Sequence, residues 1–149
     1  MSSTAAASDT RSIVVERHMP HSPEKIWRAL TQSVLIERFL MRNDFQPIVG
    51  HRFHFWAEPV PGWNGVSDCE VLVVEGPKRL VWRQCASGEQ AEGGLDSVVA
   101  WTITPVEGGS VVRMEHSGFR PVTDDNAFNA MGGGWPRIVE RLETVAASS

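Results

Sequence analysis

From residue 51 to residue 119 apolar and polar side chains tend to alternate, and clusters of Gly, Pro, Asn and Ser break the run. Alternation places successive side chains on opposite faces, so it predicts strands with one buried and one wet face. The predicted strands are His51–Glu58, Val66–Glu75, Arg79–Cys85, Asp96–Pro105 and Ser110–Gly118. Between them lie turns at Pro59–Gly65, Gly76-Pro77-Lys78 and Ser87–Gly94, and a hairpin at Gly108-Gly109. For Val71–Val74 neither parity is clean.

Helical spacing flanks this block. Residues 12–19 read as a strand that Pro20 ends. Ser22-Pro23-Glu24-Lys25 then starts a helix, with Ser22 as N-cap and Pro23 where its missing N–H costs nothing. Ile26, Trp27 and Leu30 share its inner face. Ser33 restarts a second short helix carrying Leu35, Ile36, Phe39 and Leu40. Asp124–Ala147 is helical at its end, through Ile138, Val139, Leu142 and Val145. Gly132-Gly133-Gly134 interrupts its start, either as a hinge or as a loop before a helix that begins at Trp135-Pro136.

A meander of strands cannot bury a face alone, and the terminal helix is the available cover. The predicted fold is α+β: a curved antiparallel β-sheet wrapped around a long C-terminal α-helix, with two short helices after the first strand. Residues 1–11 read as a flexible leader without a signal-peptide pattern, and residues 12–149 as one domain. Lys and Arg number 14 against 18 Asp and Glu, a net charge of −4. That balance excludes a dedicated nucleic-acid binder and adsorption to anionic membranes. No apolar run reaches the roughly 18 residues of a membrane span. Cys69 and Cys85 form no Cys-x-x-Cys motif and read as buried or half-buried thiols, which suits a reducing cytoplasm.

Several segments match a known pattern. Pro20-His21-Ser22-Pro23-Glu24-Lys25-Ile26-Trp27-Arg28-Ala29-Leu30-Thr31 resembles a family opening in which Pro precedes a Val-Trp-x-Ala-Leu-Thr helix. Gly50-His51-Arg52-Phe53 resembles its glycine-initiated second strand, and Gly76-Pro77-Lys78-Arg79-Leu80-Val81-Trp82 its Pro-x-Arg-Leu-Val hairpin. Gly108 through Phe119 resembles its Gly-Gly strand ending in His-x-Gly-Phe, and Gly134-Trp135 with Leu142 its closing helix. The family is the START-like (SRPBCC, helix-grip) superfamily, within it the group similar to the activator of the heat-shock chaperone ATPase (AHSA-like). The likeness covers about residues 12–145. Three positions depart from it: Arg38-Phe39 replaces Trp-Phe, Met19 replaces an Ala, and three glycines precede Trp135. The resemblance implies a cavity between sheet and long helix that takes apolar small molecules. It also implies two alternatives: a protein-contact role like that of the chaperone activators, or cyclase-type chemistry.

The chain has six Trp, six Phe and no Tyr. Alternation turns Val99, Trp101 and Ile103 inward, and likewise Val112, Met114 and His116. Phe53 with Phe55, and Leu80 with Trp82, share parities. Phe53, Phe55, Trp82, Trp101 and Met114 are therefore candidate pocket walls, or equally a filled core. His116, Met131 and Trp135 complete the candidate ligand-binding set. His116 reads as a ligand-orienting group, a general base, or a core histidine bonded to its surroundings. His51 and His54 face opposite sides of one strand and His18 and His21 flank Pro20, so no metal set is expected. The glycine triplet lacks the Lys-Ser/Thr of a phosphate loop. Trp63 is a lid, a loop anchor or an interface contact. Asp124-Asp125 read as a solvated pair, and Glu140 and Glu143 with Arg137 and Arg141 as helical ion pairs. No nucleophile constellation is present.

The expected function is non-catalytic binding of an apolar small molecule, without a cofactor, by a monomer or homodimer. The alternatives are a protein-interaction domain with an exposed apolar patch near Trp63 or Phe128, and a cavity enzyme using His116.

Overall fold

The computed structural model describes residues 10–61, 63–88 and 93–148. Residues 1–9 of the expected leader lie outside them, and Arg11 already belongs to the first strand. The elements are β1 (Arg11–Met19), α1 (Pro23–Thr31), α2 (Ser33–Phe39), β2 (Arg42–Asn43), β3 (Arg52–Trp56), β4 (Val66–Glu75), β5 (Arg79–Ala86), β6 (Asp96–Val106), β7 (Gly109–Phe119) and α3 (Asp125–Ser148). The fold is α+β, as the sequence predicts. The strands form one antiparallel sheet in the order β1-β7-β6-β5-β4-β3-β2. The chain's first strand thus pairs with its last, and the two-residue β2 at the far edge carries no sequence period to betray it.

Local rules account for most element ends. Ser22 Oγ accepts from the Lys25 amide at 3.3 Å, and Pro23 opens α1. Ile26, Ala29 and Leu30 bury its inner face, as Ile36 and Phe39 do for α2. The register shifts between Val71 and Val73 of β4, and Leu72 is left exposed. This bulge explains why no single parity fits Val71–Val74.

Register sorts the inward side chains into rows. Phe53, Cys69, Gln84 and Ser97 stand side by side on β3 to β6. The next row is Val71, Trp82, Val99, His116 and Ile13. Beyond it stand Val74, Leu80, Trp101, Met114 and Val15. The helices cover this face.

The terminal helix differs from expectation. It runs unbroken through Gly132-Gly133-Gly134, with Pro136 inside it. A proline ring crowds the carbonyl four residues earlier, here Gly132, and removes one helical bond. Three residues without side chains sit where that crowding falls. Only residues after the triplet are fully buried: Trp135, Val139, Leu142, Val145 and Ala146. Before it, Ala127, Phe128 and Met131 are partly buried against the core. The charged residues of α3 serve other elements: Glu143 accepts from Arg17 of β1 at 2.7 Å, and Arg141 donates to the Phe39 carbonyl at 3.4 Å.

Candidate functional site

The site is the space between the sheet's inner face and α3. Phe53, Phe55, Trp82, Trp101, Met114 and His116 are all fully buried, and Trp135 is almost so. Their rings pack edge to face or tilted. Phe53 lies 5.4 Å from Phe55 and 5.9 Å from Trp82, Trp82 6.4 Å from Trp101, and Trp101 5.8 Å from Trp135. Phe39, Phe45, Phe119 and Phe128 extend the array. Met131 is half-buried one helical turn before Trp135, on the same face of α3.

Most polar side chains inside have partners within the chain. Trp135 Nε1–H donates to His116 Nδ1 at 3.0 Å, and His116 Nε2 lies 2.8 Å from Ser97 Oγ. Ser97 spends its own proton on the Gln84 carbonyl at 2.8 Å. His116 must therefore carry its proton on Nε2 and be neutral. Burial lowers its pKa to about 4, which agrees. Both nitrogens are occupied, so the ring has no free lone pair for a substrate proton. The geometry gives the core-histidine reading, and the general-base alternative has no support in it. Trp82 Nε1–H is also served, by Gln84 Oε1 at 3.0 Å. Trp101 Nε1 is different: it is buried without a hydrogen-bond partner.

Ser97 and Gln84 escape the candidate list drawn from sequence. Alternation places them on the inward face, two residues from Val99 and Trp82, so the signal was present. Nothing in sequence says that they meet His116 and Trp82.

At the β7–α3 junction Asp124 is buried, not solvated as expected. Arg120 binds it through the backbone amide at 2.7 Å and the guanidinium at 2.8 Å, and holds it below the usual carboxylate range. The same guanidinium donates to the Gly93 and Gly94 carbonyls at 3.1 and 3.0 Å, tying the loop before β6 to the start of α3. Asp125 pairs with Arg11, whose guanidinium also lies 4.1 Å over the Phe128 ring. Trp63 is a loop anchor, donating from Nε1 to the Val66 carbonyl at 3.1 Å.

Two open hollows lie on the other face of the sheet. One, of about 210 Å³, is bordered by Arg79, Arg113 and Glu115; the other, of about 250 Å³, by His54, Asp68, Arg83 and Cys85. Asp44 and Asp68 flank His54 at 3.2 and 3.7 Å, but no three metal-capable side chains converge among the described residues. Both cysteines are free thiols, Cys69 buried and Cys85 partly so. No helix of the described residues is long and apolar enough to cross a membrane.

Among solved structures, a Mesorhizobium loti protein is 47% identical, with a TM-score of 0.83 over 93% of this chain and 98% of its own. A Bacillus halodurans protein is 25% identical, with a TM-score of 0.74 over 91% and 96%. The Aha1 dimer from Colwellia psychrerythraea shares the fold at 22% identity, with a TM-score of 0.73 over 89% and 93%. No similar protein is found among curated ones. The family described as activator of Hsp90 ATPase homolog 1-like protein matches residues 20–147, nearly the whole of the folded chain, and the chain belongs to that family.

Proposed function

We propose that the chain binds an apolar small molecule between its sheet and α3 and performs no chemistry on it. The observation that carries this reading is the uneven seating of α3. Its second half grips the core, while its first half, beyond three glycines, covers the ring array with the half-buried Phe128 and Met131. Binding lifts that first half and replaces Phe128 and Met131 against the core. An aromatic wall with a neutral, fully bonded histidine favours apolar contact over proton transfer. The test is a thermal-shift and tryptophan-fluorescence titration with fluorene and with long-chain fatty acids. Saturable stabilisation is expected with at least one; none with either removes the reading.

A second reading has one observation behind it. The family's description names chaperone activation, and the uncovered face of the sheet exposes Val14 and Leu72 and carries hollows edged by arginines. A protein partner would dock there, and the chain would act as a monomer or, like the Colwellia relative, as a dimer. An Hsp90-type ATPase assay with and without the chain tests this; an unchanged rate counts against it.

A further inference from the structure

Three indoles lie in the interior, and the chain supplies acceptors for two. Trp82 has Gln84 and Trp135 has His116, each a buried polar side chain. Trp101, fully buried between them, has none. Its ring neighbours are Phe39 at 6.3 Å, Trp82 at 6.4 Å and Trp135 at 5.8 Å. Its cross-strand partners are Leu80 and Met114, of which only the methionine sulfur accepts at all, and weakly. Leaving a buried N–H without an acceptor is costly, and native interiors rarely do so.

We infer that Trp101 Nε1–H is the specificity-determining donor of the interior site, and that the bound molecule is a flat apolar compound with a hydrogen-bond-accepting oxygen. This rests on the binding proposed above. Trp101 touches Trp135, and Met131 and Phe128 lie one and two turns before Trp135 on the same helix face. Lifting the first half of α3 would therefore open the flank of Trp135, the ring packed against Trp101, and give an occupant a route to the Trp101 indole. The occupant's rings face the aromatic wall and its oxygen takes the free N–H. His116, Ser97 and Gln84 keep their present bonds and take no part in recognition. A hydrocarbon of the same shape would fill the same space and leave the donor unpaired.

The experiment compares fluorene with fluorenone, equal in shape and differing by one carbonyl, on the wild-type chain and on Trp101→Phe. Affinities come from calorimetry. The fluorenone-to-fluorene affinity ratio is expected to fall about tenfold from wild type to the variant, the size of one neutral hydrogen bond in a double-mutant cycle. The Trp101 indole ¹⁵N–¹H resonance of the wild type, assigned by triple resonance, is expected to move downfield with fluorenone and not with fluorene. That measurement stands even if Trp101→Phe does not fold. An unchanged ratio, or an indole resonance that responds alike to both compounds, overturns the inference while leaving binding intact. Failure of both compounds to bind overturns the inference and removes the binding reading for flat aromatic molecules.

Discussion

Protonating His116 would put a charge where Trp135 and Ser97 already use both ring nitrogens and where no water reaches. The pKa of about 4 in the folded chain lies below the 6.5 of an exposed histidine. Between those values the unfolded chain holds more protons. The histidine's contribution to stability is therefore complete above pH 6.5 and is lost as pH falls toward 4. Urea denaturation at pH 7 and pH 5 should differ by about 2 kcal/mol on its account, and His116→Gln should remove that part of the slope. An identical slope in the variant would disprove the assignment. Gly109 makes a second prediction at this scale. Its φ is 151°, and a Cβ there would sit 2.1 Å from the Met19 carbonyl oxygen. Gly109→Ala should cost more than about 2 kcal/mol, because the β6–β7 turn and the β1–α1 link must part. A loss within measurement error in chemical denaturation would contradict this. The sequence marks Gly108-Gly109 as a turn; only the fold brings Met19 against it.

α3 is the element on which sequence and structure part. Three glycines and a proline argue locally against a helix, each glycine costing about 1 kcal/mol relative to alanine. The helix persists because Val139, Leu142 and Val145 anchor one end, while Arg120–Asp124 and Arg11–Asp125 fasten the other. The fastening predicts that Arg11→Ala raises amide exchange across residues 125–134 about tenfold and leaves residues 138–146 unchanged. A uniform increase along α3 would show that the helix moves as one piece. A methyl group at Gly133 meets nothing within 4 Å. Gly133→Ala should therefore stabilise the protein by about 0.5–1 kcal/mol and slow exchange in the same segment. Destabilisation would show that the backbone there is not ordinary helix.

At the scale of the molecule, the open sheet is completed at one edge only when the first strand reaches the last. β1 brings Ile13 and Met19 into the core and runs beside β7 from Arg11↔Phe119 to Met19↔Ser110. A chain lacking residues 1–19 should lose cooperative unfolding in urea, because β7 would then expose an unpaired edge and the core would miss two apolar side chains. A sharp transition at unchanged denaturant concentration would show that the meander and α3 suffice.

Alternation and helical spacing by themselves determined six of the seven strands, most of their inward faces and the order of those elements, because these follow from backbone geometry within a few residues; the two-residue β2 and the bulged stretch of β4 escaped them. Each inward-facing candidate from Phe53 to His116 was readable on those terms. Tertiary structure decided how the polar atoms pair. Whether His116 is a base or a bonded core group depends on Ser97, Gln84 and Trp135, which meet only through strand register and helix docking. It also decided that the glycine triplet stays helical and that, of the three interior indoles, Trp101 keeps a free donor, since both depend on contacts between distant parts of the chain that no local pattern encodes.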